Sequence, residues 1–140
     1  IAKTSFDFLL SLTFKDDQIK VISNQGWYHK GKTVNQYGEQ PIDVAYTILA
    51  LQTFYQVYED ESYKNKMKIA FDWFLGKNHL HQIIYNPKTG GCYDGLEQHH
   101  VNLNQGAEST ISYLLSRLAM EKVSNSIKEM EFYEEVFQNK

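Results

Sequence analysis

Four acidic residues stand where polar loops run into helices. They are Glu39 and Asp43 in "GEQPID" (Gly38–Asp43), Asp94 in "GGCYDG" (Gly90–Gly95) and Glu108 in "GAESTIS" (Gly106–Ser112). Paired carboxylates are the usual equipment for acid–base work on sugars, one giving a proton to a leaving oxygen while the other stays ionised. A catalytic reading would use Glu39, Asp94 and Glu108. The same loops carry Gln40, Asn102, Asn104 and Gln105, whose amides suit hydroxyl groups, and Trp27, Tyr28 and Tyr93, which offer flat faces to a sugar ring. A plainer account covers the same residues. The carboxylates complement helix dipoles, with Asp43 a capping residue in the first turn. The amides satisfy their own loop backbone, and the aromatics pack inside hairpins.

Other chemistries find less support. The His pairs at His79/His81 and His99/His100 lack a second cluster of ligands at metal-binding spacing, so no metal is expected. Cys92 occupies in a repeat the place that Trp27 occupies in its partner copy, and is expected to pack. "TGG" at 89–91 reads as a turn rather than a phosphate cradle, so no cofactor is expected in this segment. A net charge of −3 leaves no electrostatic footprint for nucleic acid or an anionic membrane. No apolar run approaches the roughly 20 residues of a membrane span, and no signal peptide is visible. With a single Cys, these features lead to a cytoplasmic expectation.

The elements that position these residues come twice. "SFDFLL" (Ser5–Leu10) returns as "AFDWFL" (Ala70–Leu75), with Phe6 on Phe71 and Asp7 on Asp72. Gly26 then falls on Gly91, Tyr28 on Tyr93, and, after a small insertion, Glu39 on Glu108. The copies span about 2–58 and 61–122 of a single domain covering residues 1–140. Each reads helix, β-like ribbon, polar loop, helix.

The outer helices are expected at Ala2–Phe14 and Glu61–Lys77. In the second, Tyr63, Met67, Ala70 and Phe74 form one apolar stripe. The inner helices are Pro41–Tyr58, apolar almost all round, and about Gln105 or Ser109 to Lys122. A closing amphipathic helix is expected at Ser124–Phe137. Hairpins would pair "QIKVI" with "GWYHKG", and "QIIYNP" with "GGCYDG" around Asn86–Gly90. The fold class is therefore mainly α: antiparallel α/α hairpins forming part of an (α/α) toroid, with short β-hairpins in the long loops. Every long loop would empty at one end, bringing Glu39 and Glu108 to a shared cavity. The start at Ile1, directly in helix-like sequence, fits the C-terminal piece of a longer protein, and an apolar flank on Pro41–Tyr58 would then be open to dimerisation.

At "GEQPIDVAYTILAL", "FDWFLGKN", "YNPKTGGCYDGL" and "VNLNQGAESTISYLLSRLAM" the chain resembles the helical C-terminal region of bacterial, mannosyltransferase-like glycosyltransferases, over about Gly26–Met120. That region is in turn similar to six-hairpin (α/α) toroids. The resemblance implies cytoplasmic sugar transfer by the parent protein. This segment would be an accessory domain that meets a glycan acceptor or docks on upstream nucleotide-sugar-binding domains. The motif positions it carries are Glu39, Gln40, Asp43, Asp94, Asn102, Asn104, Gln105 and Glu108. Two alternatives use the same residues: part of a toroidal glycoside hydrolase or sugar epimerase, and a structural or oligomerisation module.

Overall fold

In a computed structural model, the backbone is described for residues 1–26 and 28–138, and side chains for residues 1–26 and 28–125. Trp27, one of the expected sugar platforms, lies outside the described residues. The protein is mainly helical, with two small antiparallel hairpins. The order is α1 (Ala2–Thr13), β1 (Phe14–Lys15), β2 (Gln18–Ile19), α2 (Pro41–Tyr58), α3 (Glu61–Asp72), β3 (Gly95–Leu96), β4 (Val101–Asn102) and α4 (Ala107–Gln138).

Helix α2 has the bounds its sequence demands. Pro41 takes the first helical position, where a missing N–H costs nothing, after Gln40 in extended conformation. The helix stops at Glu59, whose left-handed backbone (φ 54°) turns the chain back toward Tyr55. Asp60 then caps α3 by accepting from the Ser62 N–H at 2.8 Å. The expected stripe of α3 is buried: Tyr63, Met67, Ala70 and Phe74 all lie in the core. Regular α-helix ends at Asp72, five residues early, because tighter i→i−3 bonds from Trp73 to Gly76 carry the chain into a turn.

The inner helix α2 packs on both α3 and α4. Its Val44, Ile48 and Leu51 are fully buried. On the α4 side Tyr113 completes the core, stacking on Tyr85 at 4.2 Å between ring centroids and meeting Phe71 and Phe74 at 5.9 and 5.4 Å. Aromatic contacts of this kind add about 0.5–1.5 kcal/mol each to the burial.

Two expectations need correction. The first hairpin pairs Gln18–Ile19 backward with Phe14–Lys15 and, among the described residues, not forward with "GWYHKG". Asp16 and Asp17 both adopt positive φ (50° and 56°), making a two-residue turn whose twist suits a hairpin. Second, no break separates a closing helix at Ser124: α4 runs unbroken from Ala107 to Gln138, a stretch that contains neither Gly nor Pro. Exposed apolar side chains on α2 (Tyr46, Val57 and Tyr58, 50–67%) are joined by a second set on α4. Ile111, Leu114, Leu115 and Leu118, spaced i, i+3, i+4 and i+7 on α4, are 43–54% exposed, opposite the buried Tyr113, Ser116 and Ala119.

The second expected hairpin is present: Tyr85 bridges Cys92, Asn86 N–H donates to Gly91 at 2.8 Å, and Tyr93 N–H to Ile84 at 2.9 Å. Among the described residues no helix is long and apolar enough to cross a membrane.

Tyr113 tests this account of the core. Tyr113→Ala should cost about 3–5 kcal/mol, the usual range for deleting a buried aromatic, read as a fall in the urea midpoint. A loss under about 1 kcal/mol would mean that the aromatic cluster does not hold α4 to α3.

Candidate functional site

The two long connectors meet at the N-terminal ends of α2 and α4. The join is a main-chain one: Leu96 N–H donates to the Glu39 carbonyl at 2.9 Å, and Glu39 N–H returns a bond to Leu96 at 3.0 Å. A side-chain bond from Gln25 Nε2 to Glu97 Oε2 at 3.2 Å adds a second tie. Gly38, just before the join, has φ +95°, and a Cβ there would lie 2.6 Å from Asn24 Oδ1, so only glycine fits.

Two adjoining recesses open along this seam. One, of about 610 Å³, is lined by residues that include Asn24, Tyr28, Gln40 and Asp43. The other, of about 300 Å³, shares Asn24 and Gln40 and adds Asp94, Glu97, Asn102, Glu108 and Ser109. No Lys or Arg lines either recess among the described residues. Of the residues expected from sequence, Gln40, Asp43, Asp94, Asn102 and Glu108 come together here. Loss of hydration, and then the charge of Glu108, raise the Asp43 carboxyl above its ordinary range.

Glu39 is not among them. It was expected to face the cavity as the counterpart of Glu108, yet it is only 2% exposed and points into the protein. Its Oε2 accepts from Trp73 Nε1 at 3.0 Å, and its Oε1 lies 3.4 Å from His79 Nδ1. The reason is local geometry: Glu39 precedes the cap in extended backbone, whereas Glu108 is exposed and lies inside the first turn of α4. Burial pushes the Glu39 carboxyl up to about 7, against the opposing pull of the Trp73 N–H and the Lys20 charge.

Asp94 reaches the rim but is occupied. Its Oδ1 accepts from Gly106 N–H and from Ser109 Oγ, both at 2.7 Å, which ties down the start of α4. A Cβ on Gly106 would come within 2.9 Å of that oxygen.

Three other expected residues lie outside the two recesses. Tyr93 packs against the core, and its hydroxyl accepts from Asn86 Nδ2 at 3.2 Å. Gln105 takes the Thr89 hydroxyl and so folds over the Asn86–Gly90 turn. Asn104 gives its carbonyl to Asp94 N–H at 2.9 Å and its own N–H to Asn102 Oδ1 at 3.2 Å.

Cys92 is fully buried, its thiol pushed up to about 12 by burial and by Asp94, which is no state for a nucleophile. Among the described residues no three His, Cys, Asp or Glu side chains gather as a metal site would require. Sequence reasoning missed Asn24, Glu97 and Ser109. The polar turn "SNQG" (Ser23–Gly26) was the one available signal for Asn24, while Glu97 and Ser109 are placed by a hairpin and a cap that have no sequence signature.

Two outcomes follow. Asp94→Ala removes the tie on α4 and should cost about 1–2 kcal/mol, with faster amide exchange confined to Gly106–Thr110. Unchanged exchange there would remove Asp94 from this role. The second outcome concerns pH. A buried acid that binds its proton more tightly when folded favours the folded state most at low pH. That contribution is lost as pH rises from about 4.5 through about 7. Thermal unfolding should therefore show a stability loss on the order of 3 kcal/mol across that window. Glu39→Gln, which cannot ionise, should lack it, and a parallel pH profile in the variant would refute the assignment.

No protein-family model matches this chain, and no curated protein sequence matches it, so the functional reading rests on the arrangement of these side chains.

Proposed function

We propose that this domain is a glycan-facing accessory module of a bacterial glycosyltransferase, an arc of an (α/α) toroid that contacts the acceptor and carries out no chemistry alone. One observation carries the reading: two connectors, far apart in sequence, bring Asn24, Gln40, Asp43, Asn102 and Glu108 to one open seam. Amides and carboxylates side by side offer the donors and acceptors that neighbouring hydroxyls need. Tyr28 adds a ring face beside Gln40 and Asp43. The lining holds three acidic side chains besides Asp43 (Asp94, Glu97 and Glu108). Such a surface repels phosphate, so a neutral saccharide suits it and a nucleotide sugar belongs on another domain.

The hydrolase or epimerase alternative is weakened by the position of Glu39, which is withdrawn from the seam, and by the capping bonds of Asp94. The docking reading has its own support in the exposed α4 stripe of Ile111, Leu114, Leu115 and Leu118. An apolar face of this kind suits another domain of the same protein or a second copy.

Calorimetric titration with neutral manno-oligosaccharides tests the main reading. We expect measurable binding that weakens about tenfold in Gln40→Ala and in Glu108→Gln, the effect of losing one or two hydrogen bonds. Equal affinity in both variants, or no heat at millimolar sugar, would remove the seam from glycan recognition and leave docking as the function.

A further inference from the structure

The pairing of the buried Glu39 with the partly exposed His79 is used by none of the roles above. His79 Nε2 lies 2.9 Å from the Glu97 carbonyl oxygen. A carbonyl only accepts, so Nε2 carries a hydrogen and donates. The other ring nitrogen, Nδ1, is buried, has no hydrogen-bond partner, and faces Glu39 Oε1 at 3.4 Å. With no proton between them, two bare lone pairs would confront each other beside a buried charge that Lys20 and the Trp73 and Val21 N–H groups offset only in part. One proton removes both problems. It gives either a carboxylic acid donating to a neutral ring or an imidazolium donating to a carboxylate, and each arrangement is net neutral.

We propose that a single proton shared by Glu39 and His79 latches the β3–β4 hairpin onto the entrance of α2. The latch has two arms on consecutive residues. The backbone of Glu39 pairs with Leu96, and the ring of His79 holds the next residue, Glu97, by its carbonyl. Glu97 lines the seam, and also a second polar recess that includes Gln25, Tyr37 and His100. Loss of the proton leaves a buried negative charge. That charge is relieved when the imidazole turns away and water enters, which frees the Glu97 carbonyl and loosens the tip at 97–100. The wall of the seam thereby responds to pH near neutrality, whatever ligand it meets.

The other groups around the pair are accounted for. Trp73 Nε1 donates to Glu39 in either state. The Lys20 ammonium sits over the Tyr37 ring at 4.7 Å, and that ring lies 5.3 Å from the His79 ring. The Glu97 carboxylate takes the Gln25 amide. His99 and His100 are exposed on the hairpin.

Amide exchange and imidazole ¹⁵N shifts, measured on the whole chain between pH 5.5 and 8.5, test the latch. In the parent protein the protection factors of Leu96 and Glu97 should fall about tenfold across neutrality, beyond the base catalysis common to all amides. Glu39 Cδ and His79 Nδ1 should titrate with one shared midpoint. In Glu39→Gln the carboxamide donates permanently to Nδ1 and still accepts from Trp73, so protection should stay high at every pH. In His79→Phe it should be low at every pH. A pH-independent parent, the same step persisting in Glu39→Gln, or separate midpoints for the two side chains would each overturn the proposal. The last is read on the parent protein alone and decides the matter even if a variant fails to fold.

Discussion

One carboxyl group governs the assembly of this protein. Glu39 is buried where the first connector ends, the second connector turns and α3 gives way to loop. Its side chain engages Trp73 from the end of α3, and its backbone engages Leu96 in β3. Burying an acid costs free energy unless its oxygens are satisfied, so the groups around it have little freedom of placement. The fully buried Trp73 needs an acceptor for its indole N–H, and Glu39 supplies it. Both polar connectors are held by this junction, and the seam exists because they are.

Packing does the remainder. Helix α2 is apolar on most of its circumference and is gripped by α3 and α4, which fixes where the two N-terminal ends lie. Asn78 shows how the intervening loop is stiffened without regular structure. Fully enclosed, it donates to the Trp73 carbonyl at 3.0 Å and the Gln82 carbonyl at 2.8 Å. His79 comes next in sequence, so its ring is presented to Glu39 from a firm base. The polar seam thus rests on a well-packed frame, while its own polar side chains are mostly half-buried or exposed.

The legible parts of the sequence were those governed by short-range rules. The helical period at Tyr63–Phe74, Pro41 at a helix start and the turn at Asn86–Gly90 each follow from local chemistry, and each is present. The polar character of the connectors was equally visible, and Gln40, Asp43, Asp94, Asn102 and Glu108 do border the seam. The direction of a side chain in irregular backbone was not. Glu39 and Glu108 align in the repeat, yet a shift of a few residues relative to the helix start sends one inward and the other outward. Likewise "QIKVI" has the β-character of a strand, but its partner was decided by Asp16 and Asp17, which tolerate left-handed backbone and close the turn early. Long-range choices of this kind, with the hairpin at Gly95–Asn102 among them, depend on contacts that no local pattern records.

The bridge between Glu39 and Leu96 has a consequence for how such a surface changes over time. Its bonds belong to the main chain, so beyond the tight fit at Gly38 and Gly95 they make little demand on the side chains that line the seam. Asn24, Gln40 and Asn102 can be exchanged for other amino acids while the connectors stay fastened. The chemistry of the seam is thereby free to drift under selection, on a scaffold that keeps its shape.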